Sequence, residues 1–181
     1  MRRLTFLLFF QLFLSILAGA QYWQQQVNYT IDVKLDDTLN TLDGFERMEY
    51  INHSPDTLRF IWFHVWANAY KNDKTAYTDQ SLQNGDTRFY FSDKEQKGYI
   101  NRLDFQVDGI TAETADHSEY IDIIKLLLPV PLLPGKTAVI TTPFHVKLPF
   151  NFSRGGHDGE TYQLTQWYPK PAVYDKNGWH P

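Results

Sequence analysis

From Val27 to Leu35 the chain alternates without a break: Val27-Asn-Tyr-Thr-Ile-Asp-Val-Lys-Leu35. Period-two alternation fits a strand with one covered face, because successive side chains leave a pleated backbone on opposite sides. Val27, Tyr29, Ile31, Val33 and Leu35 are therefore expected to face inward. The competing signature is missing, since no apolar period of 3.6 residues persists for three turns anywhere in the sequence. A chain patterned this way is committed to sheets.

The rest of the sequence continues the pattern less cleanly. Leu42 to Ile51 alternates again, with Phe45, Arg47, Glu49 and Ile51 on one face and Glu46, Met48 and Tyr50 on the other. Both faces carry apolar groups, so both are expected to be partly covered. Asn52-His-Ser-Pro-Asp56 reads as a turn, since Pro55 fixes φ while Ser54 and Asp56 satisfy local backbone groups. Thr57 to Ala67 follows as a strand rich in aromatic residues, bulky enough on both faces to be central in its sheet. Residues 68–86 form a polar excursion with one short helical turn near Thr78 to Leu82. Arg88 to Phe91 and Tyr99 to Val107 read as short edge strands, the second ending in an Asp108-Gly109 turn. Tyr120 to Leu128 resumes strand character before a proline-marked connection at 129–135. Lys136 to Leu148 is the last long strand, expected to be broken or bulged at Pro143. Successive strands joined by turn chemistry predict an all-β sandwich or open twisted sheet pair, mostly antiparallel.

The ends of the chain bear on where such a sandwich folds. Arg2 and Arg3, an apolar run from Leu4 to Leu17, and the small residues Ala18-Gly19-Ala20 predict a secretory signal peptide over residues 1–20, cleaved after Ala20. The apolar run is too short for a stable membrane anchor, which needs about 20 residues. Export implies a periplasmic or extracellular protein. No cysteine occurs, so neither a disulfide framework nor a lipidated cysteine is available, and folding rests on core burial. Residues 21–181 suffice for one domain. Without Arg2 and Arg3, 15 basic residues face 21 acidic ones, a net charge of −6, which argues against nucleic acid and anionic membrane surfaces as partners. Asn28, Asn52 and Asn151 each begin an Asn-x-Ser/Thr triplet that could be glycosylated in a source that does so.

The sequence is poor in recognisable catalytic chemistry. His53, His64, His117, His145, His157 and His180 are dispersed, and no H-E-x-x-H occurs to set two zinc ligands one helical turn apart. No cysteine and no Gly-x-Ser-x-Gly elbow supplies a nucleophile. Arg154-Gly155-Gly156 reads as a flexible turn rather than a phosphate cradle, and Asp36-Asp37 and His157 to Glu160 as solvated turns rather than calcium loops. Trp62, Phe63 and Trp66 suit a strand core, with a sugar-stacking platform as the alternative.

The order of motifs carries more than any one of them. Tyr29-x-Ile-x-Val-x-Leu-Asp36, Leu42-x-Gly44, Tyr50-x-Asn52, Leu58-x-x-Ile-x-Phe-His64, Asn68-x-Tyr70, Leu128 to Gly135 and Thr165-Gln166 succeed one another. This series resembles the N-terminal domain of the aminopeptidase N family of gluzincin zinc metallopeptidases. The Gln166-Trp-Tyr-Pro-Lys170 and Gly178-Trp-His180 segments are similar to those of its secreted bacterial branch. The resemblance spans about Gln24 to Pro181 and implies a saddle-shaped β domain that packs on a downstream catalytic domain, in a chain that stops short of it. Zinc would be the cofactor of the full-length enzyme, with its ligands beyond Pro181 and none bound by this chain. The resemblance also implies that Gln166 lines the substrate pocket and that position 168 helps to hold the substrate's free α-amino group. Here that position is Tyr168, a neutral phenol that offers a hydrogen bond but no charge partner. Trp167 and Trp179 are expected to be interdomain packing anchors.

The expected function is therefore that of a non-catalytic N-terminal domain of an exported zinc-dependent aminopeptidase, inactive alone, with peptide as the substrate of the whole enzyme. A stand-alone secreted binding module for carbohydrate or protein is the alternative. A purely structural domain is a third reading.

Overall fold

The computed structural model describes residues 23–181. The expected signal peptide over residues 1–20 lies outside the described residues. Two eleven-residue strands come first, β1 (Gln26–Asp36) and β2 (Thr41–Ile51), followed by β3 (Leu58–His64). A 3-10 turn over Trp66–Tyr70 then leads to helix α1 (Ala76–Gln83). The short strands β4 (Tyr99–Asn101), β5 (Gln106–Val107), β6 (Ile110–Thr111) and β7 (Thr114–Asp116) precede the long β8 (Ile123–Leu132) and β9 (Thr137–Lys147). The C-terminal part carries β10 (Gly156–Asp158), β11 (Thr161–Gln163), β12 (Lys170–Pro171), β13 (Val173–Asp175) and β14 (Gly178–His180).

These strands form a six-stranded sheet ordered β1-β2-β9-β5-β6, with β4 also on β9, and a four-stranded sheet ordered β12-β3-β8-β7. The hairpins β10-β11 and β13-β14 stand outside both, and all the ladders between these strands are antiparallel. One core joins the two sheets: Met48, Tyr50, Ile140 and Val146 from the first meet Ile61, Phe63 and Leu126 from the second. Phe63 and Phe105 pack at 5.1 Å between ring centroids. Each such side chain contributes about 1.5–3 kcal/mol on full burial. The fold is thus an all-β sandwich, and β3 lies inside its sheet, flanked by β12 and β8.

Asn52 closes one end of the sandwich. Its amide donates to the Asp56 and Leu132 carbonyls at 2.8 and 3.1 Å, and its oxygen accepts from the Ser54 hydroxyl at 2.6 Å. Fully buried and bonded on both sides, it is closed to glycosylation in the folded chain, whereas Asn28 and Asn151 are exposed.

Several elements depart from the sequence expectations, each for a local reason. Val27, Tyr29 and Ile31 are half-buried as expected, but Val33 and Leu35 are 46% and 39% exposed. They lie on the far half of an edge strand, beyond the part that the C-terminal segment covers. Arg88 to Phe91 is a turn, not a strand: Asp86 accepts from the Arg88 backbone and guanidinium, and Phe89 turns into the interior. Tyr99 to Val107 divides into β4 and β5, and Trp66 has already left β3 for the 3-10 turn. β8 runs on through Pro129 and Pro131, because its register with β3 shifts between Leu58 and Phe60 and its ladder with β7 extends only from Ile124 to Leu126. Pro143 neither breaks nor bulges β9. It pairs in register with Phe45, and on the other edge it falls between the residues bound by β4 and by β5.

The least expected core residue is Glu46. On β2 it shares the inner face with Met48 and Tyr50, between Ile31 on β1 and Thr142 on β9. It is 0% exposed, and neither carboxyl oxygen meets a donor among the described residues; the Tyr50 hydroxyl is likewise buried without a partner. A carboxylate deprived of water and of hydrogen bonds takes up a proton. Burial accordingly pushes the Glu46 carboxyl from 4.5 up to about 8.

Between those two values the native state binds more protons than the unfolded chain, so stability falls as pH rises through the window and levels off above about 8. Glu46→Gln is expected to match the wild type near pH 5 and to exceed it by on the order of a few kcal/mol at about pH 9. Urea unfolding of both proteins across this range checks the expectation, which fails if their stabilities run parallel.

Candidate functional site

Trp167 begins the account of the site, because its position is set by a glycine far away in sequence. Gly44 on β2 faces Phe144 on β9 across the ladder, and a Cβ at Gly44 would land on the Phe144 ring. The missing side chain lets Phe144 lie across the sheet, 1% exposed, with Trp167 packed on it at 6.0 Å between centroids. Tyr168 follows, edge-on to Trp167 at 5.1 Å and to Tyr29 at 5.5 Å. Burial first, then the neighbouring Tyr168, raises the Tyr29 hydroxyl above its usual range, with Glu46 adding to the shift.

Beside this segment runs a groove of about 240 Å³. Its floor is the end of β9 and the two residues after it, Val146, Leu148 and Pro149. One wall comes from the 3-10 turn and α1, through Trp66, Tyr70 and Tyr77. Thr75 caps α1 by accepting from the Thr78 backbone N–H, and its hydroxyl donates to the Ala69 carbonyl at 2.8 Å, which holds helix and turn together. Tyr70 and Tyr77 lie 4.8 Å apart, and burial raises both hydroxyls above the ordinary phenol range.

The opposite wall is residues 153–156 and 163–167. Gly156, at φ +142°, is buried where an added Cβ would come within 2.5 Å of the Pro149 carbonyl, so the β10-β11 hairpin can seat only with glycine there. Arg154-Gly155-Gly156, expected to be a turn, is an irregular segment outside the strands up to Gly156, and through Gly156 it is fitted into this wall. The Thr165 hydroxyl donates to the Arg154 carbonyl at 2.8 Å and ties together the two segments that flank the β10-β11 hairpin.

Gln166 lies at the edge of this wall. It is exposed, it makes no hydrogen bond within the described residues, and its backbone adopts φ +55°. A left-handed conformation at a residue other than Gly, Asn or Asp is uncommon and costs about 1–3 kcal/mol. Gln166 and Trp167 thus share the groove, while Tyr168 does not line it and packs against β1 instead. Trp179 is elsewhere, half-buried on Tyr174 at 4.6 Å and Phe60 at 5.9 Å, where it borders a second recess.

The other residues singled out from sequence are already engaged within the domain. Phe63 is core. Trp62 carries the Lys125 ammonium 4.6 Å from its ring centroid and His117 at 5.3 Å. Trp66 is stacked on His64 at 4.4 Å and 5°. Burial lowers the His64 pKa, and nearby Lys170 adds to the effect against Asp122. His145 pairs with Asp43 at 2.8 Å, and Asp36 caps the backbone of Thr38 and Leu39. Among the described residues no group of three or more His, Asp or Glu side chains gathers to hold a metal ion. None of the described helices is long and apolar enough to cross a membrane. Sequence reading missed Arg154, Tyr70 and Tyr77 as groove residues; the Arg-Gly-Gly string was the available signal.

No family model and no curated protein matches the chain. Among solved structures it is similar to a two-domain M1 zinc metallopeptidase bound to L-tryptophan, at 12% identity and a TM-score of 0.43, over 73% of this chain and 22% of that one. The chain therefore spans about a fifth of that protein's length, and a likeness this distant shows no family membership.

Since Gly44 sets Phe144 and thereby Trp167, Gly44→Ala is expected to destabilise the fold by about 1–3 kcal/mol through overpacking. It should also shift the tryptophan emission. Thermal unfolding with fluorescence detection checks both effects, and an unchanged Tm would show that the Phe144 ring is free to move aside.

Proposed function

We propose that this chain is the non-catalytic N-terminal β domain of an exported, zinc-dependent metallopeptidase of the aminopeptidase type, packing on the catalytic domain and lining its substrate cleft. The carrying observation is Gln166: an exposed amide with no partner among the described residues, held in a costly left-handed conformation at the edge of a groove. Such strain persists where the surroundings over-determine it, and it concentrates at ligand-contacting positions. An unpaired amide there offers a donor and an acceptor to a peptide main chain. The described residues do not fit a zinc site, so on this reading the metal and the hydrolytic step belong to the catalytic domain. This chain's contribution is to bind and orient.

Trp167 and Trp179 are half-buried, each with one side on this domain and an edge outward, which suits anchors for a neighbouring domain. The carbohydrate alternative gains nothing from Trp62 and Trp66, whose rings are already engaged by Lys125 and His64.

The test uses the natural polypeptide purified from its source. It is expected to hold stoichiometric zinc and to hydrolyse aminoacyl substrates in a chelator-sensitive way. Gln166→Ala should raise KM by roughly three- to tenfold with kcat little changed, the loss of about one neutral hydrogen bond made equally in ground and transition states. A natural polypeptide without zinc and without aminoacyl hydrolysis would overturn the reading.

A further inference from the structure

We infer that the groove is a ligand site of this chain in its own right, and that Arg154 makes it selective for the terminal carboxylate of a short peptide. The inference stands on this domain's residues alone and goes beyond the peptidase reading. Among the described residues Arg154 is the single charged residue on the lining, in a chain of net charge −4. Four other basic side chains, those of Arg47, Arg88, Arg102 and Lys147, are bound to a carboxylate or a carbonyl. Arg154 has no ion-pair partner among the described residues. The lining also carries the hydroxyls of Tyr70 and Ser153. A planar five-donor cation on such a lining matches a carboxylate in geometry and in charge.

The remainder of the lining fits a peptide rather than a simple fatty or aromatic acid. Gln80, Gln163 and Gln166 make no side-chain hydrogen bonds within the described residues, and each offers both a donor and an acceptor, as main-chain amides require. The rings of Trp66, Tyr77 and Trp167 supply apolar faces for a side chain. A volume of about 240 Å³, below the roughly 300–1,000 Å³ of drug-sized sites, suits the end of a peptide. A terminal carboxylate is the anion that such an end presents.

The full chain is titrated with N-acetyl-alanyl-phenylalanine as the free acid, the same dipeptide as its amide, and N-acetyl-aspartyl-phenylalanine amide. Affinity is read by tryptophan fluorescence, and the indole N–H signals of Trp66 and Trp167 report location. The free acid is expected to bind at least tenfold more tightly than its amide, with shifts confined to those two indoles. Arg154→Gln should erase that difference and Arg154→Lys should keep part of it, because a point charge survives without the fork. Arg154 is exposed, so both variants are expected to fold, and matching thermal unfolding confirms it. Equal affinities for acid and amide, shifts at other tryptophans, or no binding at millimolar peptide would overturn the proposal. Binding of the aspartyl amide as tight as that of the free acid would overturn the terminal assignment. None of these outcomes decides whether a zinc domain exists, and a polypeptide without zinc could still bind the acid.

Discussion

The pairing of β2 with β9 is the constraint on which the rest of this domain depends. It holds register from Thr41 opposite Lys147 to Ile51 opposite Thr137 without a slip, though the two strands lie far apart in sequence. A one-residue slip would turn every side chain of a strand to the other face. A slip of β2 would expose Met48 and Tyr50 and bury Arg47 and Glu49. β1 is aligned only through β2, and β4 and β5 only through β9. The Gly44–Phe144 pair belongs to the same ladder, so the register that builds the core also decides where Trp167 rests and where the groove opens.

The C-terminal segment makes up for what the sheet alone leaves open. β1 is an edge strand of the larger sheet. Tyr168 on Tyr29 and Trp167 on Phe144 close its near half, and Val33 and Leu35 stay uncovered where that segment ends. Glu46 lies on this same face, beside Ile31 and Thr142. Its carboxyl carries a proton because burial removes it from water and neither oxygen meets a donor among the described residues. The face that the first sheet turns to the core therefore holds a buried acid whose ionisation works against the fold.

What was legible in the sequence follows from what period-two patterning encodes. It marked β1, β2 and β9 with nearly correct bounds, because a half-covered strand must alternate. The Asp108-Gly109 turn was equally plain, since both residues sit at positive φ between β5 and β6. Alternation does not say what covers a face, so it puts Val33 and Leu35 inside, and it sets Glu46 beside Met48 and Tyr50 without saying that all three are fully buried. Pro143 was read as a break because proline lacks a donor, yet the cost depends on whether the neighbouring edge is paired at that point, which is a tertiary fact. Arg88 to Phe91 has strand composition, but a local Asp86–Arg88 bond favours a turn. In the site, Gln166 was named through a resemblance, while Arg154 and Tyr70 were not recognised as groove residues: they are remote in sequence and meet only when the β10-β11 hairpin folds against the 3-10 turn.

The electrostatic character of the domain gives that meeting its consequence. An acidic protein repels anions at long range, and over more than about 8–10 Å of physiological saline this repulsion is largely screened. Selectivity for an anion must then be local, through a cation that no internal carboxylate neutralises. Arg154 meets the charge condition, since no ion pair engages it among the described residues, and it shares the groove lining with the hydroxyls of Tyr70 and Ser153. Gly156 meets the geometric one, because only a residue without a Cβ lets the Arg154 wall close on the Pro149 carbonyl. The string Arg154-Gly155-Gly156 thus joins a charge to the backbone freedom that seats it, which is why three consecutive residues in an apparently featureless loop define one end of the groove.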